Sequence, residues 1–118
     1  MQDIINNKAQ LEQIAQKFID AANRFDTQAI LTLFAADAVI EDVSVGEKFE
    51  GASGIKKYIV TFFIGYHTKS QLLSFEHPGA CNILAKVNFT GDFGHETGWL
   101  EIRFNDAGLI EHIDADLD

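Results

Sequence analysis

The sequence has 118 residues but only one cysteine, one proline, one methionine and one tryptophan. A lone Cys81 excludes an internal disulfide, and no Cys/His spacing matches a zinc site. No apolar run approaches the ~18 residues that a membrane span requires. Met1-Gln2-Asp3-Ile4-Ile5 lacks the basic and long apolar regions of a secretion signal, so a cytoplasmic chain is expected. Basic residues are scarce, 9 against 18 acidic ones, and the formal net charge is −9. A chain of that sign does not attract phosphate backbones, so neither nucleic acid nor membrane is expected as a partner. Linker-like stretches, repeats and low-complexity segments are also missing, and residues 1–118 are expected to form a single domain. What is present is 47% apolar residues with ten phenylalanines, enough for one core. The acidity is uneven. Residues 92–118 hold eight acids against one base, Arg103, and the first 91 residues are nearly neutral.

The chain opens on a helical period. Leu11, Ile14, Ala15, Phe18, Ala22 and Phe25 share one face, opposite Glu12, Gln13, Gln16, Lys17 and Asp20. Asp26 supplies an N-cap for a short second helix from Thr27 to about Phe34. Ala38–Val43 is β-branched and predicts a strand, with a brief second strand at Lys48–Glu50. A third helix follows, with Ser53 as N-cap, the stripe Ile55, Tyr58, Ile59, Phe62 and Phe63, and Gly65 at its end. Residues 69–77, 82–90, 96–104 and 109–117 read as four strands separated by Gly-, Pro- and Asn-rich turns. Helices first and hairpins afterwards predict an α+β fold with an antiparallel sheet covered on one side.

Three segments then resemble one family in order. Phe34-Ala35-Ala36-Asp37-Ala38-Val39-Ile40-Glu41-Asp42 is similar to the LFADDAVxED signature of the nuclear transport factor 2-like superfamily. Gly51-Ala52-Ser53-Gly54-Ile55-Lys56-Lys57-Tyr58 resembles the start of its third helix. Gly108-Leu109-Ile110-Glu111-His112-Ile113-Asp114 resembles the last strand of its SnoaL-like branch. The resemblance implies a cone-shaped (cystatin-like) fold, in which three N-terminal helices pack on a curved antiparallel sheet around an apolar pocket. It implies homodimers through the outer sheet face, a small apolar or aromatic ligand, and no cofactor or metal. The family hosts isomerases, cyclases, hydrolases and non-catalytic binding domains, so the fold alone does not name an activity.

Candidate site residues follow from these patterns. Asp42 shares strand parity with Ile40 and matches the proton-transferring base of the ketosteroid isomerase branch. A carboxylate in an apolar cavity is suited to general-base work. The isomerase's two oxyanion donors match Phe18 and Leu100 here, and neither side chain donates a hydrogen bond. Tyr58 or Tyr66 is then the alternative donor, although Tyr58 also reads as a core aromatic. His112, Asp114 and Asp116 lie at i, i+2 and i+4, so His112 and Asp114 are supporting catalytic candidates. However, Ile113, Ala115 and Leu117 should line the cone, which turns the polar set outward unless a bulge intervenes. Phe18, Phe34, Ile40, Tyr58, Phe62 and Ile113 are expected to form the pocket wall. His67 and His95 are expected in loops, Cys81 as an inert thiol, and Trp99 on the outer face at a dimer interface. The competing reading is a non-catalytic ligand-binding or dimerisation module of the same fold.

Overall fold

The computed structural model describes residues 8–118. Its elements run α1 (Lys8–Asn23), α2 (Thr27–Leu31), β1 (Phe34–Asp42), β2 (Glu47–Glu50) and α3 (Gly51–Ile59). One turn of π-helix (Val60–Ile64) follows, then β3 (Lys69–Gly79), β4 (Asn82–Gly91), β5 (Gly94–Phe104) and β6 (Ile110–Leu117). The six strands form one curved sheet in the order β2-β1-β6-β5-β4-β3. The architecture is the α+β cone expected, with the helices packed on one face of the sheet.

Several local expectations are corrected. The sheet is mixed, because β1 and β6 pair in parallel while every other neighbour pair is antiparallel. Helix α2 ends at Leu31, so Phe34 opens β1 instead of closing the helix. Glu50, not Ser53, caps α3, and it does so without a side-chain bond. His95 lies in β5, not in a loop. The N-cap of α2 is as expected, with the Asp26 carboxylate accepting from the Ala29 amide at 3.1 Å.

Alternation places the inner face of the sheet. Ile83, Ala85 and Val87 of β4, Leu100, Ile102 and Phe104 of β5, and Ile113 and Ala115 of β6 are buried against Leu11, Ala15, Phe18, Ile19 and Ala22 of α1. The far end of α1 is pinned to β3 by a reciprocal pair. Asn23 Nδ2 donates to the Ser70 carbonyl at 2.9 Å, and the Ser70 amide donates back to Asn23 Oδ1 at 2.7 Å. Along α1, Glu12 meets His77 Nε2 of β3 at 2.6 Å. These ties hold the helix across the sheet at its β3 edge and leave the end near β1, β6 and the π-turn unfilled.

Gly98 marks a close approach in the sheet. A Cβ there would stand 2.4 Å from the Asp116 carbonyl oxygen and 3.2 Å from the Leu117 Cα. Both obstacles belong to the neighbouring strand or its backbone, so relief requires β5 and β6 to separate. Gly98→Ala is expected to destabilise the fold by about 1–3 kcal/mol, the usual cost of overpacking. A urea titration checks this, and a midpoint unchanged from wild type contradicts it.

Candidate functional site

The unfilled end of the cone is a cavity of about 380 Å³. That lies at the smaller end of the range typical of small-molecule sites. The wall is mainly apolar. Phe18 of α1, Ile40 of β1, Tyr58 of α3, Phe62 of the π-turn and Ile113 of β6 line it. Phe34 does not line it. Its ring is buried one layer deeper, edge-on to Phe18 at 5.8 Å, so its expected place on the pocket wall is corrected to a supporting place in the core.

The π-turn shapes one side of the cavity. The Gly65 amide reaches back five residues to the Val60 carbonyl at 2.9 Å, and the Thr68 amide takes the Phe63 carbonyl at 2.8 Å. The widened turn places Phe62 and Phe63 on successive positions, and both line the cavity. Such turns recur at functional sites because they re-aim side chains that a regular helix would separate.

Asp42, at the C-terminal end of β1, supplies the buried carboxylate of the wall and is only 8% exposed. Both of its oxygens accept. Tyr58 Oη donates to Oδ2 at 2.6 Å, and Ser44 gives Oδ1 its amide at 2.9 Å and its hydroxyl at 2.6 Å. The Ser44 pair is an Asx turn, the local motif by which an aspartate orders the two residues after it. Burial pushes the Tyr58 phenol well above its ordinary range, and the Asp42 charge and hydrogen bond add to the effect. Tyr58 therefore stays protonated and commits its proton to Asp42. Its hydroxyl is neither wet nor free, in contrast to the core-aromatic reading.

Phe18 and Leu100, the positions expected to lack oxyanion donors, both face the cavity and present only hydrocarbon. Tyr66, the other candidate donor, sits at the mouth and is 44% exposed. The Thr68 hydroxyl is spent on the Phe62 carbonyl at 2.7 Å.

His112 and Asp114 are not part of this site. The register from Val39↔His112 to Asp42↔Ala115 runs without a bulge, so strand parity holds and both side chains project from the outer face. Their expected supporting role in the cone is corrected accordingly. There His112 Nε2 meets Glu41 Oε1 at 2.8 Å, and its Nδ1 lies 3.6 Å from Asp114 Oδ2. One ligand-type atom from each of the three lies within 4.8 Å of the others. Of these contacts only the one from Nε2 to Glu41 is a hydrogen bond, and Asp114 stands beside the ring as a nearby carboxylate. Trp99 is also on the outer face, half-buried, with the Lys86 ammonium 4.9 Å from its ring centroid.

The sequence reading missed Ser44, Phe63, Phe89 and Phe93 as wall residues. Ser44 carried a signal, since Asp-x-Ser after a strand marks an Asx turn. Phe89 carried another, sharing parity with Ile83, Ala85 and Val87.

A curved sheet closed by helices over an apolar cavity with a buried acid at its wall defines a nuclear transport factor 2-like cone. Within that class the chain belongs to the SnoaL-like domain family, whose model matches residues 15–109. No curated protein matches the sequence. Among solved structures, a candidate polyketide cyclase from Sinorhizobium meliloti is 25% identical, with 87% of this chain and 93% of that chain covered and a TM-score of 0.80. A candidate ketosteroid isomerase from Kribbella flavida is 17% identical over 93% of this chain and 78% of that chain, with a TM-score of 0.81. A Mycobacterium tuberculosis protein in complex with estradiol-17beta-hemisuccinate is 20% identical over 90% of this chain and 92% of that chain, with a TM-score of 0.78.

Proposed function

We propose that the cavity binds a small apolar or aromatic molecule and that Asp42 takes a proton from it, in an isomerisation, cyclisation or hydration that uses no organic cofactor. The observation that carries this reading is one buried carboxylate, fixed by Tyr58 and Ser44, on the wall of a mainly apolar cavity. A carboxylate offers about four acceptor positions. Three are occupied, which leaves Asp42 one position for a substrate proton. Held from two sides, the carboxylate does not have to reorganise when substrate arrives. The candidate polyketide cyclase and ketosteroid isomerase among the structural neighbours support chemistry of this kind.

A second reading is a non-catalytic binding module of the same fold. Phe18 and Leu100 favour it, because a base usually works opposite a donor that stabilises the developing oxyanion. For either reading we place a homodimer contact on the outer sheet face, around Trp99.

Both readings require the cavity to be the binding site. Leu100→Trp fills it with an indole while replacing one apolar side chain by another. The variant is expected to lose roughly tenfold or more of its affinity for 2-tetralone, a small aromatic ketone, because the ligand and the indole exclude each other. Isothermal calorimetry checks it. Unchanged affinity in the folded variant overturns the cavity as the binding site.

A further inference from the structure

The walls of the cavity carry one sign of charge. Asp42 and Glu96 both line it, as does the Asp116 segment at the rim, and among the described residues none that lines it is lysine, arginine or histidine. Glu96 shares β5 parity with Leu100, pairs with Phe89 across to β4, and stands exposed at the mouth. The three donors to Asp42 are all neutral groups, so among the described residues its charge has no cationic partner on the cavity wall.

Aromatic rings run outward from Asp42 towards the mouth. From Tyr58, which touches Asp42, centroids run to Phe62 at 5.2 Å, on to Tyr66 at 6.2 Å and then to Phe93 at 6.1 Å at the mouth. Aromatic faces present negative potential and attract organic cations, most strongly where water is excluded. A buried carboxylate at the inner end of this line of rings and an exposed one at the mouth complement a positive charge on an apolar body.

We propose that the ligand of this cavity is an organic cation, an aryl or alkyl ammonium or iminium compound, whose charged nitrogen faces Asp42. The proposal rests on the reading of the cavity as the binding site and narrows its ligand class. It also accounts for the missing oxyanion donors. Where a C–H bond adjoins a C=N⁺ carbon, its proton passes to Asp42 Oδ2 and its electron pair forms a C=C bond. The C=N π pair then returns to nitrogen as a lone pair. Substrate cation and carboxylate become neutral enamine and neutral acid. No oxyanion forms, so Phe18 and Leu100 have none to stabilise.

Three probes of similar shape test the charge preference: 2-naphthylmethyl-trimethylammonium, the neutral 2-naphthylmethanol and the anionic 2-naphthylacetate. Amide chemical-shift titrations of the full chain give each dissociation constant. The cation is expected to bind about tenfold or more tighter than the neutral probe, and the anion weakest. Asp42→Asn should bring cation and neutral probe to within a few-fold of each other. Glu96→Gln, an exposed change that does not threaten folding, should weaken only the cation, by about two- to fivefold. Neutral or anionic probe binding in the cavity as tightly as the cation overturns this proposal and leaves the apolar-ligand reading standing. A cation preference that survives both substitutions also overturns it. If none of the three binds, both readings fall.

Discussion

Replacing Asp42 with asparagine is expected to slow deuterium exchange at the α-carbon of bound 2-tetralone by about 10²–10⁴-fold, the usual contribution of a positioned general base. Asparagine keeps the volume of aspartate, and its single carbonyl oxygen still accepts from Tyr58 or from Ser44. It cannot take up a proton at neutral pH. The substitution therefore separates the basic role of Asp42 from its role in packing. The hydrogen bonds at 2.6 Å from Tyr58 and Ser44 make the distinction necessary, since removing the carboxylate also leaves the buried Tyr58 hydroxyl and the exposed Ser44 hydroxyl less well paired. Loss of one such bond to a charged group costs about 1.5–3 kcal/mol. Thermal unfolding of the variant measures that part independently. Exchange at the wild-type rate in the folded variant contradicts Asp42 as the base.

Phe18→Ala is expected to lower unfolding free energy by about 3–5 kcal/mol, at the upper end for core truncations. For a domain of this size that corresponds to roughly 10–25 °C in the melting midpoint. Phe18 belongs to two structures at once. It is 2% exposed, it lines the cavity, and its ring meets Phe34 at 5.8 Å and Phe63 at 6.5 Å, both edge-on. Alanine removes both ring contacts and joins the vacated space to the existing cavity. The wall can relax little, because Phe34 is held in β1 and Phe63 in the π-turn. A urea denaturation curve checks the value. A loss near 1 kcal/mol would mean that Phe18 only covers the cavity and does not hold α1 to the sheet.

Much of this arrangement was legible from spacing alone. Period-two alternation put Ile113 and Ala115 inside; it pointed His112 and Asp114 outward against their candidacy as catalytic residues, and the register without a bulge decides for the outer face. Ile40 and Asp42 likewise share the inner face by parity. What the sequence did not reveal depends on contacts distant along the chain. The parallel pairing of β1 with β6 joins residues about seventy apart, and no local pattern announces it. The π-turn at Val60–Ile64 leaves the apolar stripe of α3 almost unaltered, so it reads as regular helix. Phe34 follows a helical pattern in sequence, yet β1 claims it because its backbone pairs with Ile110. Tyr58 fits the hydrophobic stripe equally well as a core ring or as the partner of Asp42. Only the folded chain brings its hydroxyl to the carboxylate sixteen residues away. The uneven acidity, too, gains a location. Glu96 faces the cavity mouth and the Asp116 segment lies at its rim, while Glu101 and Asp114 lie on strand positions of the outer face.

The cavity beside Asp42 is the centre of the account, and a ¹H–¹⁵N chemical-shift titration with 2-tetralone tests it most directly. Saturable shifts are expected at Asp42, Ser44, Tyr58, Phe89 and Leu100, which surround the cavity. Glu41, His112 and Asp114 on the opposite face should stay in place. Shifts confined to the outer face, or no saturable shift at the cavity residues, would contradict it.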